Sequence, residues 1–468
     1  MNSTKYKPEI LDIPKLNSQS WSNTIGDWSW QSNLPNREDS ENYYQASLQD
    51  LPQHKRLARN TKCDVLVIGA GLLGSSTALH LSENNIDTIL IDQDQIGVNA
   101  SGRNGGQLTP GLARWEACDI AKSFTIDEAK RLWEFTSHSS MQTIQDIITK
   151  YNLDVDYKQG HITAAIHPGH ITALKKSVNS RKKLGDNAPK ILSTTGIKKH
   201  IKSEIYHGGI FDSIGGHIHP LALNLGLVYA FKKNKGNVYE NTKALNLNQH
   251  NNKIIVETEG GKITANKVIV ATHVSTFEIL SQEAKATIPF YSYVSVTEPL
   301  SFDSNELLPT NMPVYDTSLQ IDYFRKVRGN RILFGAAGTG SRWDFEKTST
   351  MLKERITDVF PSLSQTNLDF VWSGTTDLTV KGPTAAYNIG DKIYSVFGWS
   401  GHGVAQTVRI GKAISDKIVH QCDDFDMLCK VPNINIPMGR FLSPVLIPTL
   451  TAALEVKSKI FPEKMISF

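Results

Sequence analysis

Between Asp64 and Asp92 the chain reads as one complete structural unit, and that unit constrains everything around it. An apolar strand, Val65-Leu66-Val67-Ile68, runs into the turn Gly69-Ala70-Gly71-Leu72-Leu73-Gly74. A helix follows to about Asn84, and Thr88-Ile89-Leu90-Ile91 closes the unit on Asp92. Gly69 permits the tight turn, and Gly71 lets backbone N–H groups approach a pyrophosphate with no Cβ in the way. Gly74, followed by Ser75, Ser76 and Ala78, lets the helix lie close on the sheet. Phosphates would sit at the positive helix N-terminus, and Asp92 would accept hydrogen bonds from an adenosine ribose. Glycine-rich turns also occur where helices merely pack. Here strand, helix and acid stand at the spacing of the dinucleotide fingerprint, although the motif does not say which dinucleotide.

Length and composition set the frame. A chain of 468 residues predicts two or three domains. Its 50 basic and 46 acidic residues leave a net charge of only +4. The lysines are scattered, which argues for solubility and against a nucleic-acid footprint. Cys63, Cys118, Cys422 and Cys429 form neither a CxxC pair nor a zinc spacing, as expected for free thiols in a reducing, cytoplasmic compartment. The polar stretch Met1 to Gln53, with Trp21, Trp28 and Trp30, does not read as a secretory signal. No apolar run is long enough to span a membrane. Phe441 to Leu454 comes nearest, is interrupted by Pro444 and Pro448, and reads as a packed C-terminal segment or a contact with a bilayer surface.

The expected organisation is α/β (α+β overall), with a dinucleotide sheet interrupted in sequence by an antiparallel domain. Residues 1–60 form an N-terminal arm or loose lead-in. Nucleotide-binding segments cover 61–155, 216–285 and 376–425; substrate-domain segments cover 156–215 and 286–375; 426–468 is a C-terminal tail. Ala117 to Tyr151 has helical periodicity. Ile254–Thr258 and Lys262–Thr264 flank Gly260-Gly261 as a hairpin. Val268–Thr272 and Ile393–Phe397 read as buried strands, the latter leading into Gly398-Trp399-Ser400-Gly401-His402-Gly403 and a helix. No second GxGxxG is present, whereas a pyridine-nucleotide reductase usually has a second dinucleotide fold.

Together Gly69–Gly74, Asp92, the segment Ala100-Ser101-Gly102-Arg103-Asn104-Gly105-Gly106-Gln107 and Gly398–Gly403 resemble the FAD-dependent glycine/D-amino-acid oxidase family. The detail is similar to its gamma-glutamylputrescine oxidoreductase group. Tyr43-Tyr44, Gly215-Gly216-His217-Ile218-His219-Pro220 and Val296-Thr297-Glu298-Pro299-Leu300 support the likeness, which covers roughly residues 20 to 440. The resemblance implies a Rossmann-type FAD domain and an antiparallel substrate domain facing the flavin. Gly69, Gly71, Leu72, Leu73, Gly74 and Asp92 would hold the ADP half. Ser101, Gly102, Arg103, Asn104, Gly105, Gly106 and Gln107 would wrap the pyrophosphate and flavin edge. Ala244 would contribute on the adenine side, Ala271 and Thr272 would also contact the cofactor, and Gly401, His402, Gly403 and Val404 would meet the far end of the flavin. A helix starting at Gly403 would stabilise negative charge on reduced flavin. The family's covalent members carry a Cys ahead of this loop, whereas Cys422 and Cys429 follow it, so non-covalent FAD is expected. Two departures stand out: His273 replaces a common Gly at a strand end, and Asp377 to Gly390 is longer than the family element.

Individual residues give further expectations. A two-residue Gly329-Asn330 loop would pair Arg325 with Phe334 and Arg328 with Arg331. Arg325 would then be the only charge on a face made by Tyr323, Val327, Ile332, Phe334 and Ala336, and would need an anionic partner. That partner would be either a substrate carboxylate or a protein carboxylate. Arg325, Tyr323 and His402 are thus the candidate substrate contacts, and no acid–base residue is nominated. His217 and His219 have strand spacing for a metal, but no Cys or Asp cluster stands close to them; structural hydrogen bonding is expected, with no metal. Trp115 and Trp133 read as core.

The expected activity is FAD-dependent oxidation of a C–N bond in an amine or amino acid, with a gamma-glutamylputrescine-like molecule as one substrate type. Electrons would pass to O2 or an electron carrier. The competing readings are an FAD dehydrogenase acting on another C–H donor, such as a hydroxy acid, and a catalytically idle flavin-binding protein. Oligomeric state is not legible from the sequence.

Overall fold

The computed structural model describes residues 7–16, 42–379 and 383–464. Trp21, Trp28 and Trp30 fall outside these residues. Two large sheets organise the chain. The first has the order Ala385–Ile389, Ile393–Phe397, Gly261–Val270, Thr61–Ile68, Thr88–Ile91, Asn237–Tyr239, with Lys253–Thr258 and Ala244–His250 branching from Gly261–Val270. Its central pairings are parallel. Parallel strands are covered on both faces, which is why Val65–Ile68 and Thr88–Ile91 are continuous apolar runs and fully buried. The helix Leu72–Glu83 packs between the helices Gly403–His420 and Pro220–Lys233. Small side chains make that approach possible: Ser76 Oγ donates to the Val408 carbonyl at 2.7 Å, and a Cβ on Gly411 would stand 2.8 Å from that of Ser76.

The second sheet runs Leu368–Thr379, Thr287–Thr297, Arg331–Thr339, Tyr323–Val327, Val314–Asp316, Lys158–Ala164, Gly209–His217, Gln107–Leu108, with Pro189–Leu192 also on Gly209–His217. It is antiparallel except where Val314–Asp316 pairs parallel with Lys158–Ala164. The strand Leu368–Thr379 continues past residue 375, where the expected boundary between segments fell.

Several elements differ from the sequence reading. The hairpin at Gly260 forms as expected, with Gly261 opposite Thr258. Its second arm and the expected strand from Val268 are one strand, Gly261–Val270, antiparallel to Lys253–Thr258 over residues 261–265, parallel to Thr61–Ile68 from Ile263 onward, and parallel to Ile393–Phe397 from Val268. The helical stretch from Ala117 is three helices, Ala117–Ser123, Ile126–Thr136 and His138–Tyr151, the second started by a Thr125–Glu128 capping box. Residues 42–60 are not a loose lead-in. Tyr43 and Tyr44, on the short helix Tyr43–Ala46, are buried against His219, Phe370 and Trp372.

Near the C-terminus, Gly439–Ile460 is one helix that runs through both Pro444 and Pro448. Pro444 cannot donate to the Arg440 carbonyl, and Ser443 Oγ donates to it instead at 2.8 Å.

Candidate active site

A cavity of about 890 Å³ lies between the two sheets. One side is formed where parallel strands end, at Gly69, Asp92 and Ala271-Thr272, the region in which open α/β sheets bind ligands. The other is a single face of the second sheet. Phe290, Ser292 and Val294 alternate along one strand, and Gly374, Thr376 and Leu378 along its partner, with Ser292 opposite Gly374 and Phe290 opposite Thr376. The loop Trp399–Val404 forms a further part of the wall.

The three glycines of the turn have three different reasons to be glycine. Gly69 has φ +101°, and a Cβ there would lie 2.5 Å from the Ala271 carbonyl oxygen. A Cβ on Gly71 would meet Ser101 Oγ at 2.7 Å, and one on Gly74 would meet the Gly69 carbonyl at 1.8 Å. Ser101 Oγ accepts from the Leu72 N–H at 2.9 Å, tying the Ala100–Gln107 segment to the helix N-terminus. Asp92 accepts from the N–H groups of Ala70 (2.7 Å) and Asp94 (3.0 Å). Burial pushes its pKa up to about 7, with the charges of Asp94 and Glu240 adding to the effect. Leu72, Leu73 and Ala244 line the same cavity. Gly74 and Gly102 do not; both are packing positions, Gly102 against the Gly97 carbonyl.

The Ala100–Gln107 segment is held from several directions. Tyr44 Oη donates to the Asn104 carbonyl (2.8 Å), Asn42 Nδ2 to that of Gly102 (3.1 Å) and Trp372 Nε1 to that of Arg103 (2.9 Å). Arg103 Nε reaches the Ser373 carbonyl at 2.7 Å. Asn104 Oδ1 accepts from the Gly106 N–H at 2.8 Å, and Gln107 Nε2 donates to the Val314 carbonyl at 2.7 Å.

Arg325 belongs to this scaffold, and both halves of its sequence reading are corrected. The hairpin closes on a Val327–Arg331 pair with three loop residues, so Arg325 stands opposite Leu333, and Tyr323 opposite Gly335. Its face therefore carries Tyr323, Val327, Arg331, Leu333 and Gly335. The guanidinium is 1 % exposed and does not line the cavity. Its five N–H donors meet five uncharged acceptors: the carbonyls of Gly105 (2.8 Å), Lys326 (3.3 Å) and Ile218 (3.1 Å), Tyr44 Oη (3.2 Å) and His217 Nδ1 (3.2 Å). Neither a substrate carboxylate nor a protein carboxylate is needed. Burial and the Arg325 charge hold His217 well below the usual histidine range, leaving a neutral ring that accepts from Arg325 at Nδ1 and donates to the Asn311 carbonyl from Nε2. His219 caps the helix Pro220–Lys233, with Nδ1 accepting the Ala222 N–H, and contacts Ser47 Oγ through Nε2. The two histidines thus serve separate partners. Trp115 and Trp133 are buried core residues.

Tyr323 does line the cavity, its ring lying where Cβ atoms on Gly105 and Gly335 would be, and burial pushes its hydroxyl up to about 12. His402 lines the cavity next to the N-terminus of Gly403–His420. Burial lowers its pKa to about 4, and its Nδ1 is buried without a hydrogen-bond partner among the described residues. The preceding turn is anchored by Asp377, whose carboxylate accepts from the N–H groups of Gly398 (3.0 Å) and Trp399 (3.3 Å) and from His273 Nε2 (2.9 Å). His273, with φ +50°, occupies a left-handed position, one that favours glycine. Sequence reasoning noted His273 and Asp377 only as departures from the family pattern, and it missed Phe290, Ser292, Thr376, Glu116 and Tyr315 altogether. Of those five, only Phe290 and Ser292 carried a signal, the Phe290/Ser292/Val294 alternation. Glu116, Tyr315 and His402 also line a second recess of about 30 Å³.

The residues fit a dinucleotide cofactor on structural grounds: a glycine turn that a Cβ would fill, a helix N-terminus at Gly403 with no side-chain cap, and the orphaned Nδ1 of His402. Comparison with known proteins agrees. The family model described as FAD dependent oxidoreductase (DAO) matches residues 64–417. Gamma-glutamylputrescine oxidoreductase of Escherichia coli (strain K12) is 32 % identical over 407 residues, covering 86 % of this chain and 95 % of that protein. A probable oxidoreductase, OrdL, of Haemophilus influenzae is 30 % identical over 412 residues, covering 86 % of this chain and 94 % of its own. Among solved structures, glycine oxidase from Bacillus cereus superposes with a TM-score of 0.63 at 19 % identity, over 80 % of this chain and 99 % of that one.

Proposed function

We propose that this chain, which belongs to the FAD-dependent oxidoreductase family, holds FAD without a covalent bond and oxidises a C–N bond of an amine or amino acid. Bound FAD supplies the two-electron acceptor for the hydride leaving the carbon next to nitrogen, and water then hydrolyses the imine product. The observation that carries this reading is the single cavity onto which the glycine turn, the Gly403 helix N-terminus and an aromatic sheet face all open. Gly69, Gly71, Leu72, Leu73, Asp92, Ala244, Ala271 and Thr272 are assigned to the ADP half, and Ser101 and Arg103–Gln107 to the pyrophosphate and flavin edge. Gly401–Val404 are assigned to the flavin's far end, where unpaired N–H groups offset negative charge.

The chain's own groups suit a neutral amine. His402 is uncharged at neutral pH, and Tyr323 and Tyr315, both pushed up to about 12, keep their protons. Phe290, Ile321 and Ile447 exclude water from the remaining wall. Arg114 and Glu116 bring one cation and one acid to that wall, a pairing suited to the charged head of a gamma-glutamylputrescine-like molecule, the type of substrate named for the Escherichia coli relative. The test is anaerobic flavin bleaching by a panel of glutamylated and free polyamines, amino acids, hydroxy acids and NADH. Amines should bleach the flavin and release ammonia or a shorter amine. Rapid bleaching by NADH or by hydroxy acids alone would overturn the assignment.

A further inference from the structure

Substrate must enter and product must leave the cavity, and one part of its wall is built differently from the rest. Ile447, Thr451 and Leu454 line it from the helix Gly439–Ile460, at steps of four and three that place them on one helix face. Leu319, Gln320 and Ile321 line it from the loop between the strands Val314–Asp316 and Tyr323–Val327, on the side of the second sheet and away from the glycine turn. Helix and loop meet where Gln320 Nε2 donates to the Glu455 carboxylate at 2.8 Å. His170 joins them a second time. Its Nε2 donates to the Pro462 carbonyl just beyond the helix, and its Nδ1 meets the Thr317 hydroxyl, both at 2.7 Å.

The two sides of this contact are not equally held. The loop is tied to its own stem: the Asp316 carboxylate accepts from the N–H groups of Ser318 and Asp322, both at 3.0 Å, and Asp322 pairs with Arg355. The helix is packed only at its first turn. There Gly439 and Ser443 are buried, and Arg440 lies over the Phe277 ring and donates to the Val274 carbonyl at 2.7 Å. None of the described residues from Pro444 to Glu463 is buried. Pro444 and Pro448 each remove one helical hydrogen bond, at the point where the packing stops. Few buried contacts and a weakened backbone put the rest of the helix at the low end of local stability, the end from which active-site lids are drawn.

We propose that the part of Gly439–Ile460 beyond Ser443 is a lid on the substrate side of the cavity, hinged at Pro444 and Pro448 and latched to the rigid loop through Gln320–Glu455 and His170–Pro462. The inference rests on the reading of this cavity as the catalytic one. The test joins Gln320→Cys to Glu455→Cys with a short bis-maleimide in the full-length, FAD-loaded protein. Its background keeps the buried Cys63 and carries Cys118→Ser, Cys422→Ser and Cys429→Ser. The cross-link should slow anaerobic flavin bleaching by an amine at least tenfold, with FAD content and bleaching by dithionite unchanged. Hydrogen exchange supplies a readout that needs no substrate. Amides 449–457 should exchange at least tenfold faster than those of Leu72–Glu83, and the cross-link should slow them. Gln320→Ala alone should speed the same amides without moving the melting temperature. Undiminished amine bleaching after complete cross-linking would overturn the lid and leave the proposed oxidation standing. Bleaching of neither form by any amine would sink the proposed oxidation and leave exchange to decide the lid. Protection of 449–457 equal to that of Leu72–Glu83, or exchange that the cross-link leaves unchanged, would overturn it.

Discussion

The Asp92 carboxyl gives the sharpest test of the cofactor assignment, because its protonation and its proposed task compete. Burial beside Asp94 and Glu240 raises its pKa to about 7 in the free protein. A carboxylate raised in this way binds a proton in the folded state that the unfolded chain has already lost, so its contribution to stability falls as pH rises from about 4 to 7. Accepting hydrogen bonds from a ribose favours the ionised form, so FAD binding expels that proton. Apparent affinity should scale with the ionised fraction, which for a pKa of about 7 gives roughly tenfold weaker binding at pH 6 than at pH 8. Asp92→Asn removes both the titration and the charge-assisted bond. Its binding should be weaker by about 1.5–3 kcal/mol, the worth of a hydrogen bond to a charged group, and level across the same pH range. The assay is titration of apoprotein with FAD at pH 6, 7 and 8, followed by quenching of flavin fluorescence. A wild-type affinity that is flat with pH, or an Asn variant that keeps the tenfold slope, would refute the reasoning.

Two further perturbations follow from the same geometry. Arg325→Lys replaces five directed donors by three at a buried position and frees the Gly105 carbonyl, so it should cost at least ~2 kcal/mol of stability and impair FAD retention, read by melting temperature and flavin absorbance. An intact, fully loaded variant that loses affinity only for carboxylate-bearing substrates would return Arg325 to the substrate site. His273→Gly relieves a left-handed φ costing about 1–3 kcal/mol but removes the Nε2 contact to Asp377. Hydrogen exchange at Gly398 and Trp399 should then accelerate while the melting temperature changes little, and unchanged exchange would mean that Asp377 holds the turn unaided.

What the sequence made legible depends on how each part of the site works. The proposed nucleotide end would act through backbone: N–H groups, carbonyls and the space left by absent Cβ atoms. Those demands fall on consecutive residues, and the turn from Gly69 and the terminal Asp92 could be read directly. The second-sheet wall of the cavity is assembled from alternate residues of strands that meet only in the folded sheet, such as Ser292 and Gly374. Their local pattern is that of any half-buried strand. The hairpin at Gly329 shows a different failure. Gly329-Asn330 has the composition of a two-residue turn, but Asn330 is engaged elsewhere: its carbonyl accepts from the Leu300 N–H at 2.9 Å, and its side chain reaches the Leu300 and Phe302 carbonyls and the Ser304 N–H. Those bonds pull Asn330 into the neighbouring segment and lengthen the loop by one residue. A slip of one is enough to exchange the faces of the partner strand, and with them the argument that Arg325 stood alone.

His273 joins the two kinds of information. The backbone at that strand end demands a left-handed residue, a conformation that favours glycine, and this chain meets the demand with a side chain that carries strain. The offset is visible only in three dimensions. The imidazole reaches across to Asp377, and the same carboxylate orders the two N–H groups that start the turn into Gly403. A departure at the end of one parallel strand thereby becomes a support for the turn that leads into the Gly403 helix. Substitutions at such positions should be judged by the buried partner they acquire, because the conformational penalty alone would predict that they do not persist.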